Sequence, residues 1–258
     1  MEEYRMAIFS NMVSFNPIPQ TSQEAVEQCV IVNRLLSNEG ILDAYGHVSV
    51  RNPENPNTFF QSRRMAPELV TRKDIMEIDM DGNVISNKQF QHFREILMHA
   101  EIYKARPDVN AICHNHAREL IPFSSTGTPL RPVFQPAGIF YKGIPTFNNT
   151  EIIPGLVTST KESCMKLAQV LGDHRAAFIG VHGVVVIGEN AINLITSCTA
   201  LRDNAVAQFQ AMQLGTPRYL TEEEGKAAAQ TMLSIEDAER MWNYWLSRAK
   251  STLTDLYW

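Results

Sequence analysis

The sequence predicts a mixed α/β protein, because capped helical segments alternate with short strand patterns along the chain. Residues 21–24, Thr-Ser-Gln-Glu, have the form of a capping box, in which a threonine caps a helix and a glutamate reaches back to it. The apolar residues that follow recur at helical spacing, and Gly40 stands where a glycine would end the helix. Val48 and Val50 then alternate with polar residues, which is typical of a half-buried strand.

The later segments continue this alternation. We expect strands at 58–61, 109–116, 133–134 and 144–147, hairpins at 75–85 and 176–188, and helices at 94–105, 160–171 and 192–214. A second capping box at Thr221 opens a helical tail with five late aromatic residues, Trp242, Tyr244, Trp245, Tyr257 and Trp258. No linker, internal repeat or low-complexity tract divides the chain. We therefore expect an irregular N-terminal arm over residues 1–20 and a single domain over residues 21–258.

The composition of the chain argues against nucleic-acid and membrane partners. The 258 residues are 44% hydrophobic, which is enough to bury a substantial core. A net charge of −5 argues against nucleic acid, and no apolar run approaches the roughly 20 residues that span a bilayer. Four cysteines lie far apart without a Cys-x-x-Cys pair, and the N-terminus is acidic where a secretory signal would be basic. We therefore expect reduced thiols and a cytoplasmic protein with no nucleic-acid or membrane partner.

Two histidines, His114 and His116, end a short apolar run that follows the break at Arg106-Pro107. If the run is a strand, side chains two residues apart point to the same face, so the two imidazoles project side by side. Two such imidazoles are half of a metal site, because histidine is a common ligand of zinc and similar metals. On this spacing alone, two solvated histidines at a strand end are an equal alternative.

His182 lies at the tip of the otherwise apolar hairpin at 176–188. By itself, a histidine flanked by so many valines and isoleucines is best explained as a buried core residue. Together with His114 and His116, it becomes the natural third ligand of a metal site.

Glu95 and His99 are four residues apart and share one face of the predicted helix that precedes the histidine strand. A glutamate in a first helical turn is commonly explained by the helix dipole, but here its carboxylate can also be aimed at a metal. We expect His99 to be structural and to lie behind Glu95. His47 is expected in the turn before the first strand, where an exposed loop histidine is the alternative.

Arg63 and Arg64 follow the second predicted strand. Adjacent arginines are most often surface charge. They also suit a pocket for carboxylates or phosphates, because guanidinium offers a rigid fork of hydrogen-bond donors.

The order of these motifs resembles the class II aldolase/adducin superfamily over about residues 25–220. The motifs are Gly-His-Val-Ser-Val-Arg at 46–51, Glu95-x-x-x-His99, His114-Asn-His116 and His182-Gly183. The resemblance implies a three-layer α/β/α fold around a central, largely antiparallel sheet. It implies one divalent metal ion per subunit on the three histidines and an acid/base role for Glu95. It also implies a homotetramer with the active site near a subunit interface, often completed by a C-terminal tyrosine.

Departures from the family pattern favour one branch over another. Sugar-phosphate aldolases of the family hold the phosphate with Gly-Asn, Thr-Pro-Ser-Gly and serines just before the glutamate. The corresponding positions here read Gly46-His47, Ser-Arg-Arg-Met-Ala-Pro-Glu at 62–68 and Gln-His-Phe-Arg at 91–94, so we expect no phosphate cradle. The sequence is more similar to metal-dependent decarboxylases of dihydroxyphthalate, hydroxy-methylpyridine-dicarboxylate and carboxy-hydroxymuconate semialdehyde.

This resemblance predicts a carbon–carbon lyase that decarboxylates a hydroxylated aromatic or ring-opened acid. Charge left on carbon would be stabilised as a metal-bound enolate or phenolate, and Glu95 would protonate the carbon. Arg63 or Arg64 would bind a second carboxylate of this small-molecule substrate, Ser49 would also contact it, and His47 would orient it or relay a proton. The metal is expected to be Zn, Mn, Co or Fe.

Two alternatives remain at this point. One is an aldolase that cleaves a hydroxy-keto acid or sugar, with or without phosphate. The other is a non-catalytic, adducin-like interaction module, which would tolerate loss of the metal ligands.

Overall fold

A computed structural model describes residues 18–149 and 156–249 of the chain. Seven strands occur in it: β1 (His47–Arg51), β2 (Thr58–Ser62), β3 (Ile75–Asp79), β4 (Ala111–Asn115), β5 (Thr146–Phe147), β6 (Ala176–Ile179) and β7 (Gly183–Gly188). They form one sheet in the order β3-β2-β1-β4-β7-β6-β5. Every neighbouring pair is antiparallel except β5 and β6, so the expected largely antiparallel sheet is confirmed.

Helices cover both faces of this sheet. They are α1 (Ser22–Asn38), α2 (Ile96–Ala105), α3 (Ile121–Thr126), α4 (Lys161–Leu171), α5 (Ala191–Leu214), α6 (Glu222–Met232) and α7 (Ile235–Arg248). One core lies between the sheet and α1, α5 and α7, and a second lies between the opposite face and α2 and α4. The described residues therefore confirm the three-layer α/β/α fold.

The alternation of side chains along each strand determines which face of the sheet each histidine lies on. In β4, Ala111 and Cys113 face the core of α1 and α5, whereas Ile112 faces the core of α2 and α4. His114 follows the same alternation and points to the α2 side. His47 pairs with His114 across β1 and β4, so it lies on the same face of the sheet.

Helix caps largely follow the sequence expectation. Thr21 caps α1 by accepting from the amide of Glu24, but the Glu24 carboxylate accepts from the amide of Gln20 rather than from that of Thr21. The hydrogen bond that Glu24 returns therefore goes to the residue before the helix cap instead of to the cap itself. The second capping box is complete, because Thr221 and Glu224 exchange both hydrogen bonds at the start of α6.

Two expected strands differ from the structure. Val84 makes only a single bridge with Ile78, so the expected hairpin has no regular second strand. Residues 133–134 form no strand, because the amide of Val133 donates to the side chain of Asn204 in α5, 3.0 Å away. This side-chain acceptor satisfies the amide that a strand partner would otherwise bind.

The ends of the chain are described only in part. The expected N-terminal arm falls outside the described residues except for 18–20, and Tyr257 and Trp258 also lie outside them. Within the helical tail, Trp242 and Trp245 are buried in the core, whereas Tyr244 is exposed. No helix in the described part of the chain has both the length and the apolar character needed to cross a membrane.

Candidate active site

Three histidines from two segments distant in the sequence lie close together at one end of the sheet. His114 is the last but one residue of β4, His116 is the first residue after that strand, and His182 lies in the turn between β6 and β7. Nε2 of His114 is 3.1 Å from Nε2 of His116 and 3.2 Å from Nε2 of His182. The expectation that these three side chains lie together is therefore confirmed.

The other ring nitrogen of each histidine has an acceptor. Nδ1 of His114 is 3.1 Å from the carbonyl of Val184, and Nδ1 of His182 is 3.0 Å from the carbonyl of Leu156. Nδ1 of His116 is 3.2 Å from the Asp43 carboxylate. Oxygens of these kinds only accept, so each neutral imidazole carries its proton on Nδ1.

With the ring protons on Nδ1, the Nε2 lone pair of His114 faces those of His116 and His182 at hydrogen-bond distance, with no proton between them. Burial lowers the pKa of His114 to about 3, which keeps its ring neutral at physiological pH. Three converging nitrogen lone pairs repel one another unless a cation lies among them. This donor set therefore fits a divalent metal ion.

Gly183 makes the close approach possible. A Cβ at this position would lie 2.5 Å from the carbonyl oxygen of Asn115 and 2.8 Å from Cδ2 of His116. The His182-Gly183 motif thus needs glycine because the β7 backbone passes directly beside the histidine cluster.

Glu95 completes the cluster from the N-terminus of α2. Its side chain makes no capping bond, and Oε1 lies 3.4 Å from Nε2 of both His114 and His182. This Oε1 atom is buried and has no hydrogen-bond partner among the described residues. A buried carboxylate oxygen without a partner is costly, so its position facing the Nε2 atoms of His114 and His182 also fits a cation.

The charge state of Glu95 follows from its surroundings. Burial raises the pKa of its carboxyl group, but His114, His47 and His182 together hold that pKa well below the usual range. The group is therefore an ionised carboxylate. An anionic oxygen beside three imidazole nitrogens is a donor set that suits zinc and similar divalent ions.

Asp43 is a site residue that sequence reasoning missed. It lies in the loop before β1, where its carboxylate accepts from the amides of Tyr45 and Gly46 as well as from His116. An aspartate two and three residues before these amides is the signature of an Asx turn, which could have been read from the sequence. The contact between His116 and this carboxylate was not readable, because it joins segments distant in the chain.

A cavity of about 840 Å³ opens in front of this cluster. Glu95, His116 and His182 form its polar end. Its walls carry apolar side chains, including Met65, Phe93, Leu156, Val157, Ile179 and Val181. The cavity has the size and the mixed lining of a pocket for a small organic molecule.

The structure separates the two adjacent arginines. Arg64 lines the cavity, whereas Nε of Arg63 lies 2.7 Å from the Asp74 carboxylate and its guanidinium lies over the ring of Phe90. The backbone amides of the two residues also bond different partners, the carbonyl of Asp74 for Arg63 and the carbonyl of Gln91 for Arg64. Arg94, which the sequence analysis did not single out, also lines the cavity.

His47 and Ser49 differ from their expected positions. His47 is the first residue of β1 and is fully buried, with Nε2 3.4 Å from Oε2 of Glu95, so it is not an exposed loop histidine. Ser49 is also fully buried and contacts His99 and Tyr103 instead of the cavity. The structure therefore does not bring Ser49 to the cavity, because its side chain faces α2, and its contact with substrate stays a prediction.

Comparison with protein families gives an extensive match. The sequence profile described as Class II Aldolase and Adducin N-terminal domain matches residues 27–209. This range contains all of the histidines and the glutamate of the cluster.

Individual relatives include two kinds of lyase. The decarboxylase tropJ of Talaromyces stipitatus is 37% identical over 116 residues, which are 44% of this chain and 44% of tropJ. An L-fuculose phosphate aldolase of Methanocaldococcus jannaschii is 29% identical over 178 residues, 68% of this chain and 90% of the aldolase. The chain spans only 44–57% of the length of four curated relatives, tropJ among them.

A solved structure has the same fold. An L-fuculose 1-phosphate aldolase from Glaciozyma antarctica PI12 superposes with a TM-score of 0.76 and 22% identity. The superposition covers 94% of this chain and 96% of that chain. The similarity extends to the whole three-layer architecture.

Proposed function

The chain belongs to the class II aldolase and adducin family, and on that premise we propose that it is a divalent-metal-dependent carbon–carbon lyase. Its proposed reaction is the decarboxylation of a hydroxylated aromatic or ring-opened carboxylic acid. The observation that carries this proposal is the unpartnered Oε1 of Glu95, buried against the Nε2 atoms of two of the three clustered histidines.

His114, His116 and His182 would hold one metal ion per subunit. Zn, Mn, Co and Fe all accept imidazole nitrogen, so the donor set does not choose among them. A divalent cation bound there supplies a Lewis acid that stabilises negative charge on the substrate oxygen next to the breaking carbon–carbon bond.

Glu95 is proposed to move the proton. As an ionised carboxylate it first takes the proton of the substrate hydroxyl group. The bond to the departing carboxylate then breaks, its electron pair stays on the substrate carbon, and CO₂ leaves. Glu95 returns its proton to that carbon, which forms the new C–H bond and regenerates the carboxylate. The substrate oxygen takes up one proton from solvent as the product leaves, which restores the hydroxyl group.

Arg64 is proposed to bind a second carboxylate of the substrate at the cavity wall, and Arg94 adds a further positive charge there. The ring of Phe93 and the side chains of Leu156 and Val181 give the same cavity apolar surface. This arrangement suits a flat, hydroxylated acid that carries its charges at its edges.

The aldolase alternative has its own support. Retro-aldol cleavage also leaves an electron pair on carbon, so the same glutamate and histidines serve both reactions. The aldolase relative from Methanocaldococcus jannaschii aligns over most of its length. Against it stand the arginines and bulky residues at the positions where sugar-phosphate aldolases hold phosphate. A non-catalytic module would not require Glu95 to converge with three histidines.

The cavity rim supports a homo-oligomer, proposed to be a tetramer. Tyr45, Leu156 and Val181 border the cavity and are 73%, 61% and 69% exposed, which is unusual for large apolar side chains. A neighbouring subunit that covers them would place the site near an interface. The cytoplasmic location stays a prediction.

The experiment that tests the proposed reaction supplies the metal-loaded protein with ortho-hydroxy aromatic carboxylates and dicarboxylates. Released CO₂ is measured together with any aldehyde formed from hydroxy-keto acids and sugar phosphates. Release of CO₂ from one member of the panel supports the decarboxylase. Aldehyde formation without CO₂ would favour the aldolase instead.

A further inference from the structure

A buried run of hydrogen bonds leads from Glu95 into the protein interior. Oε2 of Glu95 is 3.4 Å from Nε2 of His47, and Nδ1 of His47 is 2.9 Å from Nε2 of His99. Nδ1 of His99 is 2.7 Å from Oγ of Ser49, which is 2.9 Å from the hydroxyl of Tyr103. His47, His99, Ser49 and Tyr103 are all at most 1% exposed, so water does not compete for these contacts.

The carboxylate at one end fixes the direction of the first two bonds. Glu95 is ionised and only accepts, so the proton of His47 must be on Nε2. With its single proton there, the ring has its lone pair on Nδ1, which accepts from the Nε2–H of His99. A longer contact, 3.4 Å from Nε2 of the Gln61 amide to the same Nδ1 atom, also comes from a donor and agrees with this assignment.

The far end of the run is consistent with the same direction. Burial, together with His47 and His114, holds the pKa of His99 well below its usual value, so its ring is neutral. With its proton on Nε2, Nδ1 of His99 accepts from the hydroxyl of Ser49. The Ser49 oxygen accepts in turn from the hydroxyl of Tyr103, which stays protonated because burial raises its pKa.

We propose that Ser49 and His99 are positioning residues that hold His47 in its Nε2–H tautomer and thereby fix the Glu95 carboxylate for the reaction. With Oε2 tied to His47, Oε1 is directed at the histidine cluster. The opposite tautomer would place a lone pair of His47 against an anionic oxygen and a proton against the N–H of His99, so both contacts would become repulsive. Only the catalytic consequence rests on the proposed function; the tautomer itself does not.

The first test determines the protonated nitrogen of His47 in the wild-type, zinc-loaded protein. The seven histidines are labelled with ¹⁵N, long-range ¹H–¹⁵N spectra are recorded, and the His47 signals are identified by their loss in His47→Gln. The expected spectrum shows His47 and His99 both neutral and protonated on Nε2. A His47 ring protonated on Nδ1, or on both nitrogens, would overturn the proposal.

The second test separates positioning from mere structural support. His99→Leu removes the donor to His47 while keeping a side chain of similar bulk, and His99→Gln keeps an N–H donor. We expect His99→Leu to lower kcat about 10–100-fold, the range typical of lost supporting hydrogen bonds, with KM and bound metal unchanged. His99→Gln should restore most of kcat, and Tyr103→Phe should keep the His47 tautomer because the Ser49 hydroxyl remains.

The two tests distinguish a failure of the positioning role from a failure of the proposed function. An unchanged tautomer and unchanged kcat in His99→Leu would contradict the proposal. If that variant does not fold, Ser49→Ala, which deletes only a hydroxyl, replaces it with the same expectations. If no carboxylate is turned over even by the wild type, the proposed function fails, whereas the wild-type spectrum still decides whether the hydrogen-bond run sets the tautomer.

Discussion

Asp43 accepts a hydrogen bond from Nδ1 of His116 at 3.2 Å, so the most exposed of the three clustered histidines is oriented by an acid from another loop. The same carboxylate is held in place by the amides of Tyr45 and Gly46. A carboxylate behind a metal-binding histidine fixes the ring and makes its other nitrogen a better donor.

We therefore predict that Asp43→Ala weakens zinc binding about 10–100-fold, which competition with a chromogenic chelator measures. Asp43→Asn is the matched variant, because its amide oxygen still accepts from the backbone and from His116 but lacks the charge. It should show a smaller loss. Equal zinc affinity in all three proteins would show that the Asp43 contact does not support the site.

Removal of a histidine ligand should abolish stoichiometric metal binding. His116→Ala and His182→Ala are expected to bind far less than one metal ion per chain after dialysis, as measured by inductively coupled plasma mass spectrometry. His174→Ala is the control, because Nδ1 of His174 forms a hydrogen bond with the carbonyl of Gly143 and His174 is not part of the cluster. Full metal content in either cluster variant would remove that histidine from the ligand set.

The two adjacent arginines should respond differently to substitution. Arg64→Ala is expected to raise KM for a dicarboxylate by about tenfold or more, because a charged hydrogen bond contributes roughly 1.5–3 kcal/mol. Arg63→Ala should leave KM nearly unchanged. It loses the partly exposed pair with Asp74 and the contact with the Phe90 ring, which together are expected to lower the free energy of unfolding by about 1–2 kcal/mol. The reverse ranking of KM effects would place the carboxylate at Arg63.

Stability of the metal-free protein should fall between pH 7 and pH 5. Burial depresses the pKa of His99 and His114 in the folded state, whereas both take up protons near pH 6.5 when unfolded. The unfolded state therefore binds more protons as the pH falls below 6.5. His114 contributes a loss of about 2 kcal/mol over this interval, and His99 adds a loss of the same sign.

Urea unfolding at the two pH values measures this loss, and His99→Gln is the matched variant because glutamine does not titrate. The fall in its unfolding free energy between pH 7 and pH 5 should be smaller than that of wild type. An identical pH dependence in both proteins would mean that His99 does not remain neutral in the folded state.

Sequence patterns sufficed for the elements that depend on local chemistry. The capping residues, the apolar alternation of β1 and β4, and the spacing of His114 and His116 all predicted local structure that the fold retains. The convergence of His182 and Glu95 on them followed from the family resemblance and from their positions at a hairpin tip and at the start of the helix before the histidine strand.

The parts that could not be predicted depend on contacts between distant segments. The pairing of β1 with β4 puts His47 opposite His114, and neither strand specifies that register by itself. For the same reason the burial of Ser49 against His99, and the choice of Arg64 over Arg63 at the cavity, became visible only in the folded chain.

Glu95 is proposed to move the proton while the three histidines hold the metal. The most direct measurement compares Glu95→Gln with wild type for bound metal and for CO₂ release from the best substrate of the carboxylate panel. We predict that the variant retains one metal ion per chain and that its CO₂ release falls by at least about 100-fold. Loss of the metal from Glu95→Gln, or CO₂ release at the wild-type rate, would contradict this assignment.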